Sequence, residues 1–170
     1  MSGKRTIARL WRDAVAADRT NPAYLEQDGD GWRPVSWQDA AERVDAYANG
    51  LLSLADVARR ENDYVRTNEL VREGLAIAVE LGSVVRIVQA LETLAALASA
   101  EGPPERAARL IGGCEQLRRE TGFALFDDAA TYARTVETAR TQLGSEAFDR
   151  ERSAGAMLTR DGIVAYAVGD

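Results

Sequence analysis

The sequence predicts a mainly α protein of antiparallel helical hairpins, with one small β-hairpin near the N-terminus. Three observations favour this fold. Apolar residues make up 46% of the 170 residues but aromatic residues only 6%, a composition that suits close-packed helices. Apolar positions recur at helical spacing along most of the chain. In addition, a 32-residue segment is repeated 40 residues further along.

The front of the chain combines a helix with a hairpin. Residues 5–17 place apolar side chains on one helical face, and the helix should end before residues 21–22 because proline pushes the preceding residue out of the α region. Two β-prone runs then flank residues 28–31, whose Asp-Gly-Asp-Gly sequence is typical of a hairpin turn. Calcium binding by Asp28 and Asp30 is rejected because the other ligands of a helix–loop–helix site are absent.

A longer helix follows the hairpin. Ser36 is placed to cap its N-terminus, with Asp39 three residues on in a capping-box arrangement. An apolar stripe continues from there to residue 61 and is interrupted near Gly50. The stripe therefore predicts either one helix over 37–61 or two helices that meet near Gly50.

Helices account for the rest of the chain. The predicted spans are 64–81, 84–101, 104–121, 128–143 and two shorter helices up to the end. Glycines stand where helix C-termini are capped, at Gly82, Gly102, Gly122 and Gly144. Asp127 and Asp128 are interpreted as acids that favour a helix N-terminus, rather than as a metal or acid–base site.

The internal repeat aligns residues 51–82 with residues 91–122. Nine of 32 positions are identical, against about two or three expected by chance from average residue usage. Each unit is a helix, a tight turn, a second helix and a glycine stop. Small residues let the paired helices approach closely: Ala55, Ala58, Ala95 and Ala98. Since one hairpin cannot bury its apolar face alone, the units are expected to stack; an ordinary antiparallel bundle is the alternative.

Composition limits the function. With a net charge of −6, the chain is not expected to bind nucleic acid by itself. It contains no His, and Cys114 is its one cysteine, interpreted as a small buried apolar residue. We therefore expect no catalytic residue, no cofactor and no metal site. Without a membrane-spanning run or a signal peptide, the expected localisation is cytoplasmic.

Two groups of residues are candidates for contacts. Trp11, Trp32 and Trp37 are expected to pack the hairpin onto the helices. A partner-binding face is predicted on the first helix of each hairpin, formed by Asp56, Arg59, Gln89 and Glu92. The expected partner is a protein of unknown identity, and a homo-oligomer is also plausible because a short array exposes its ends.

Positions 50–170 resemble the tetratricopeptide-like C-terminal region of actinobacterial LuxR-type and related nucleotide-switch ATPase regulators. The matching motifs are LADVARRENDY, PPERAARLIGGCEQLRRETG and the LGSEAF block at 143–148. The resemblance implies a non-catalytic sensory or protein-interaction module, with units at 51–82 and 91–122 and a cap at 128–168. Lys4 is the single lysine, so the chain has no Walker-type phosphate loop.

Residues 5–54 resemble the extreme N-terminus of AMP-dependent acyl-CoA synthetases. The matching words are NPAY at 21–24, the Gly31-Trp32 hairpin, VSW at 35–37 and AAERVDAYANGLLSL. The resemblance implies that 1–49 is a lead-in to the helical domain at 50–170. Because the catalytic motifs of those enzymes are missing, no catalytic residue is carried over. The alternative function is a truncated or fused fragment of such an acid-activating enzyme.

Overall fold

The computed structural model describes residues 7–17, 19–122 and 129–169. Over these residues it contains eight helices and one two-stranded antiparallel sheet, which confirms the mainly α fold with a small β-hairpin. In chain order the elements are α1 (Ile7–Ala16), β1 (Tyr24–Asp28), β2 (Gly31–Val35), α2 (Trp37–Arg60), α3 (Tyr64–Leu81), α4 (Val84–Glu101), α5 (Pro104–Thr121), α6 (Ala129–Leu143), α7 (Ser145–Ala156) and α8 (Arg160–Val168).

The β-hairpin turns within residues 28–31, as predicted, and its turn has two residues. Asp28 pairs with Gly31, and Gly29 has a φ of 59°. A positive φ at the first turn residue is the conformation that matches the twist of the two strands and that glycine adopts without strain. The two aspartates therefore lie in a hairpin turn, as predicted.

Charged and apolar contacts hold the hairpin against α2. Glu26 of β1 pairs with Arg33 across the strands and with Arg43 of α2. The hydrogen bond from Arg43 contributes most to holding the pKa of Glu26 below its ordinary value. Arg43 also donates to the Tyr24 hydroxyl at 3.1 Å, and Val35 is buried below the sheet. An isolated hairpin is marginally stable in water. Packing against α2 therefore stabilises this one.

Helix α2 is a single helix. The backbone N–H of Asp39 donates to Ser36 Oγ at 3.0 Å, which confirms the predicted cap. The helix continues through Gly50 without a break, so the one-helix alternative is correct. The predicted division between 1–49 and 50–170 falls inside this helix, which belongs to both parts.

Helices α3, α4 and α5 have the predicted boundaries. Helix α5 begins and ends 40 residues after α3, which matches the offset found in the sequence. Gly82 and Gly122 end these two helices with φ values of 71° and 72°. Gly102 is different because its backbone is extended, and the second helix of that unit starts at Pro104.

The remaining boundaries also agree with the sequence. Helix α6 is described over Ala129–Leu143, within the predicted 128–143, and α7 and α8 are the two short helices. The predicted capping by Asp127 and Asp128 lies outside the described residues. No described helix combines the length and apolar character that a membrane crossing requires.

One apolar core runs through the helices. Helix α4 lies at its centre and packs against α2, α3, α5, α6 and α8. The predicted small residues Ala55, Ala58, Ala95 and Ala98 are all buried. The larger side chains that fill the core come from α2, α3, α4, α5, α7 and α8: Leu52, Val71, Leu75, Val88, Leu91, Leu110, Ile111, Phe148 and Ile163.

Helices α5 and α7 are in backbone contact. A methyl group added to Gly112 of α5 would overlap the carbonyl oxygen of Arg152 in α7. One added to Gly155 of α7 would overlap the carbonyl oxygen of Arg109 in α5. Two glycines, one on each helix, therefore permit an approach that any other residue type would prevent.

Ion pairs flank this contact. Arg109 of α5 donates to Glu151 of α7, with its Nε 3.1 Å from the carboxylate. Arg152 of α7 forms a second ion pair with Glu115 of α5, at 2.7 Å. Glu115 also accepts a hydrogen bond from the Tyr132 hydroxyl of α6 at 3.2 Å. These bonds fix how far α7 can slide along α5.

We expect Gly112→Ala and Gly155→Ala each to lower the free energy of unfolding by about 1–3 kcal/mol or more, because the added methyl group forces two backbones apart. The measurement is urea denaturation followed by circular dichroism. Gly50→Ala is the matched control, since nothing lies within 4 Å of its added carbon. That variant should gain about 0.5–1 kcal/mol from helix propensity. A loss at Gly50 similar to that at Gly112 would contradict this account.

The Arg109–Glu151 pair makes part of the stability pH-dependent. The hydrogen bond from Arg109 holds the pKa of Glu151 below its ordinary value of 4.5. A carboxyl group whose pKa is lowered on folding stabilises the fold above its unfolded-state pKa and loses that contribution as pH falls through its folded-state pKa. The difference in unfolding free energy between wild type and Glu151→Gln should therefore be steady near neutral pH and shrink below about pH 4.5.

Urea titrations at several pH values measure this difference. Asp149→Asn serves as the control, because Asp149 is an exposed residue of the same helix, 3.8 Å from Arg140. Its effect should stay within about 0.5 kcal/mol throughout. A Glu151→Gln effect that is the same at pH 3.5 and pH 7 would show that the ion pair does not stabilise the α5–α7 contact.

Candidate functional site

The predicted partner-binding face is split by the fold. Asp56 and Arg59 lie near the C-terminal end of α2, where they form an ion pair at 2.6 Å. Asp56 also pairs with Arg60 at 2.7 Å. All three charges are at least partly exposed, so this half of the predicted face is accessible to a partner.

The other half of the predicted face lies on α4. Gln89 is half-buried and accepts a hydrogen bond from Arg86 at 3.2 Å. Glu92 is only 5% exposed and pairs with Arg118 of α5, whose guanidinium also lies 4.5 Å from the centre of the Tyr132 ring. The structure therefore places Glu92 in the interior and not on an exposed face. The reason is that α4 is the central helix, with neighbours on almost every side.

We expect Glu92→Gln to lower the unfolding free energy by about 1–3 kcal/mol, because Arg118 would keep a buried charge without its partner. The matched change Asp56→Asn removes an accessible ion pair and should cost no more than about 0.5–1 kcal/mol. Urea denaturation of both variants at pH 7 compares the two positions. Equal losses would mean that Glu92 is no more deeply involved in packing than Asp56.

An exposed apolar stripe lies elsewhere on α2. Tyr47, Leu54 and Val57 are spaced by seven and three residues, so they share one face of the helix. Their exposed fractions are 56%, 49% and 50%. Tyr47 belongs to the apolar stripe that predicted this helix, and Leu54 and Val57 are apolar positions of the sequence repeat. Helical spacing alone did not reveal that these three side chains are about half exposed.

Acidic residues of α3 lie beside the apolar stripe. Tyr47 donates its hydroxyl proton to Glu73 at 3.3 Å, and the charge of Glu73 raises the pKa of Tyr47. Glu69 lies one turn before Glu73 and is exposed on the same side of α3. We call this surface the end face and define it by Tyr47, Leu54, Val57, Glu69 and Glu73.

Two of the three tryptophans pack as predicted. Trp11 of α1 meets Trp37 of α2 edge to face, with ring centres 5.4 Å apart. The prediction is wrong for Trp32, which is 69% exposed. The alternation of side chains along β2 explains the difference, because Val35 points to α2 and Trp32 therefore points away from it.

A cavity of about 800 Å³ lies where α1 crosses α2 and the turn between α3 and α4. Its size is within the range of small-molecule sites, about 300–1,000 Å³. The apolar part of the wall comes mainly from α1 and α2. The lining residues are Trp11, Arg12, Val15, Ala16, Ala41, Glu42, Asp45, Ala46, Asn49, Leu81, Gly82, Ser83, Arg86 and Arg160.

Polar side chains that line this cavity are hydrogen-bonded to each other. Asp45 of α2 accepts hydrogen bonds from Ser83 at 3.1 Å and from Arg86 at 3.0 Å. Arg86 also donates to Asn49 at 2.8 Å and, as noted, to Gln89. The charges of Asp45 and Arg86 therefore compensate each other. Because the network joins α2 to the start of α4, it also fixes the shape of the cavity.

Cys114 is buried, as the sequence predicted. Burial raises the pKa of its thiol, so the thiolate is disfavoured and the residue is not a nucleophile. Within the described ranges, no group of three or more acidic or cysteine side chains could hold a metal ion.

Comparisons with known proteins point to regulators. A provisionally named HTH-type transcriptional regulator of Mycobacterium bovis is 36% identical to the chain over 172 aligned positions. Provisionally named HTH-type regulators of Mycobacterium tuberculosis strains CDC 1551 and H37Rv match it with the same identity. No family model matches the chain, and no solved structure matches it.

These matches cover very different shares of this chain and of its relatives. They cover 96% of this chain but only 19% of each relative, so the chain spans about one fifth of the length of the curated relatives it matches. The unmatched 4% is much shorter than residues 1–49, so most of the front must align with the same region of the regulators as the helices. The chain is thus similar, as one continuous stretch, to part of a transcriptional regulator.

Proposed function

We propose that the chain is a non-catalytic helical module through which a transcriptional regulator contacts another protein. Three observations support the proposal. The relatives are named as regulators and not as enzymes. Helices that follow each other in the chain pack together as pairs, α2 with α3 and α4 with α5, and arrays of such pairs present large surfaces to partners. The end face leaves apolar side chains exposed on one helix side. The last observation carries the proposal.

In finer detail, we propose a tetratricopeptide-like module of the LuxR-type kind. Its two repeat units would be 51–82 and 91–122, followed by a cap at 128–168. The lead-in at 1–49 would share α2 with the first unit, so that the two parts act together. The 40-residue offset between α3 and α5 supports the repeat, and Gly82 and Gly122 end both units in the same conformation.

The chemistry of the end face suggests the partner. An apolar stripe on α2 runs beside carboxylates of α3, and Glu73 contacts Tyr47 directly. An amphipathic helix binds by placing apolar residues on such a stripe, and basic side chains along its edge would pair with Glu69 and Glu73. We therefore propose that the partner presents an amphipathic helix with Arg or Lys beside its apolar face.

The same proposal places DNA binding in another part of the regulator. The chain carries a net charge of −6, and phosphate contacts need basic side chains. A regulator that acts on bacterial DNA works in the cytoplasm, which is the proposed localisation. The acid-activating alternative is not favoured, because most of the front that suggested it aligns with regulators.

The test is site-specific photo-cross-linking in the cells that make the protein. A photoreactive benzoylphenylalanine replaces Val57, which is half-exposed in the end face. We expect a discrete cross-linked protein, and mass spectrometry should map the cross-link to a helix with apolar residues at i, i+3 and i+7 and basic residues beside them. Adding Leu54→Glu should reduce the yield at least about tenfold, because a desolvated carboxylate opposes burial.

The same photoreactive residue at Glu105, an exposed position in the first turn of α5, is the matched control and should give no discrete product. Equal products at Glu105 and Val57, or none at Val57, would contradict the end face as a binding surface. Cross-links to a second copy of the chain would show that the end face binds another copy of this chain, and not a separate partner protein.

A further inference from the structure

We propose that the cavity between α1, α2 and the α3–α4 turn binds a small amphipathic carboxylic acid. Such a ligand has an apolar body of about one or two rings and a single carboxylate. The assignment is independent of the end face, and it depends on the shape, lining and charge of the cavity.

The apolar body has a matching wall. The Trp11 ring, Val15 and Ala16 of α1 face Ala41 and Ala46 of α2 across the cavity. The two alanines leave open the space that larger side chains would fill. An aromatic ring with small residues around it is the usual environment for a flat apolar ligand.

The carboxylate has matching cations. Three arginines and two acids line the cavity, so its lining carries one excess positive charge in a protein whose net charge is −6. Asp45 and Arg86 compensate each other in the network described above. Arg12 and Arg160 remain to balance Glu42, whose carboxylate accepts a hydrogen bond from Gln38.

Arg12 and Arg160 come from opposite ends of the chain. Both also line a second cavity of about 390 Å³, where Glu80 and Asp161 lie near them. The Arg160–Asp161 contact is long, at 3.5 Å, and joins neighbouring residues of one exposed turn. Across the part of the chain that the structure describes, Arg12 forms no ion pair, and its side chain rests on Gly82. A ligand carboxylate would therefore find an available guanidinium there, and bidentate bonding is the geometry that guanidinium and carboxylate groups prefer.

Ligand binding would also fix α1. This helix provides one wall of the cavity, and it is held to the rest through Trp37 and the α3–α4 turn. A ligand between α1 and α2 adds contacts to both. Since anything that binds only the folded state stabilises it, saturation should raise the melting temperature.

The experiment uses 1-anilinonaphthalene-8-sulfonate as a fluorescent aromatic anion on the full chain. We expect saturable binding of one molecule per chain. The double variant Arg12→Gln/Arg160→Gln should weaken binding at least about tenfold, as expected for lost charge-assisted hydrogen bonds. N-phenyl-1-naphthylamine has the same aromatic body without the charge, and its affinity should change less than about threefold in that variant. Added 1-naphthoate should displace the probe at a lower concentration than 1-naphthalenemethanol, which has the same ring system without the charge.

Two control variants test whether the probe binds in this cavity. Arg60→Gln removes an exposed arginine far along α2 and should bind the probe as wild type does. Ala46→Trp fills the cavity and should abolish binding of both probes. Because such dyes also bind partly folded states, every variant must show a cooperative urea transition. The arginine variants must also keep the near-ultraviolet circular dichroism spectrum of the wild type, whereas Ala46→Trp adds a chromophore and is judged by its urea transition alone.

The proposal is overturned if the folded protein shows no saturable binding. It is also overturned if both probes lose affinity equally in the double arginine variant, since the charge would then have no role. Binding that survives Ala46→Trp would place the probe elsewhere and would likewise refute the site.

Discussion

The backbone contact between α5 and α7 is the constraint on which the C-terminal half of the fold depends. Because Gly112 and Gly155 have no side chains, the two helices meet at their peptide groups, and no intermediate spacing is available. The contact sets the position of Glu151 against Arg109. The neighbouring Gly113 leaves room for Ile163, which brings α8 onto the core. Three glycines thus decide where α7 and α8 lie.

Ion pairs between helices contribute specificity more than stability. Glu92 with Arg118 joins α4 to α5, and Asp45 with Arg86 joins α2 to α4. Burying the charges of Glu92 and Arg118 costs desolvation energy that their attraction has to offset, so well-packed apolar residues could stabilise these two positions equally well. Apolar side chains, however, tolerate a helix that is rotated or shifted by a turn. A guanidinium and a carboxylate must meet in one register, and helices of similar length and composition need such markers.

The boundaries of the helices could be predicted from the sequence because they depend on local chemistry. Ser36 caps a helix through its own hydroxyl, and Gly82 ends one because it adopts a positive φ. The environment of each face could not be predicted in the same way. Glu92 and Trp32 were assigned wrongly because helical and strand spacing show which residues share a side but not what packs against it. The cavity uses Arg12 and Arg160, which are 148 positions apart, and no local pattern connects them.

The continuity of α2 has a mechanical consequence. The helix is 24 residues long, so it extends about 36 Å as a single rod. Its N-terminal half lines the cavity through Ala41 and Asp45, and its C-terminal half carries Leu54 and Val57 on the surface. A hydrogen-bonded helix twists little along its length. Any rotation of its first half about the helix axis would therefore turn the distant apolar stripe through the same angle.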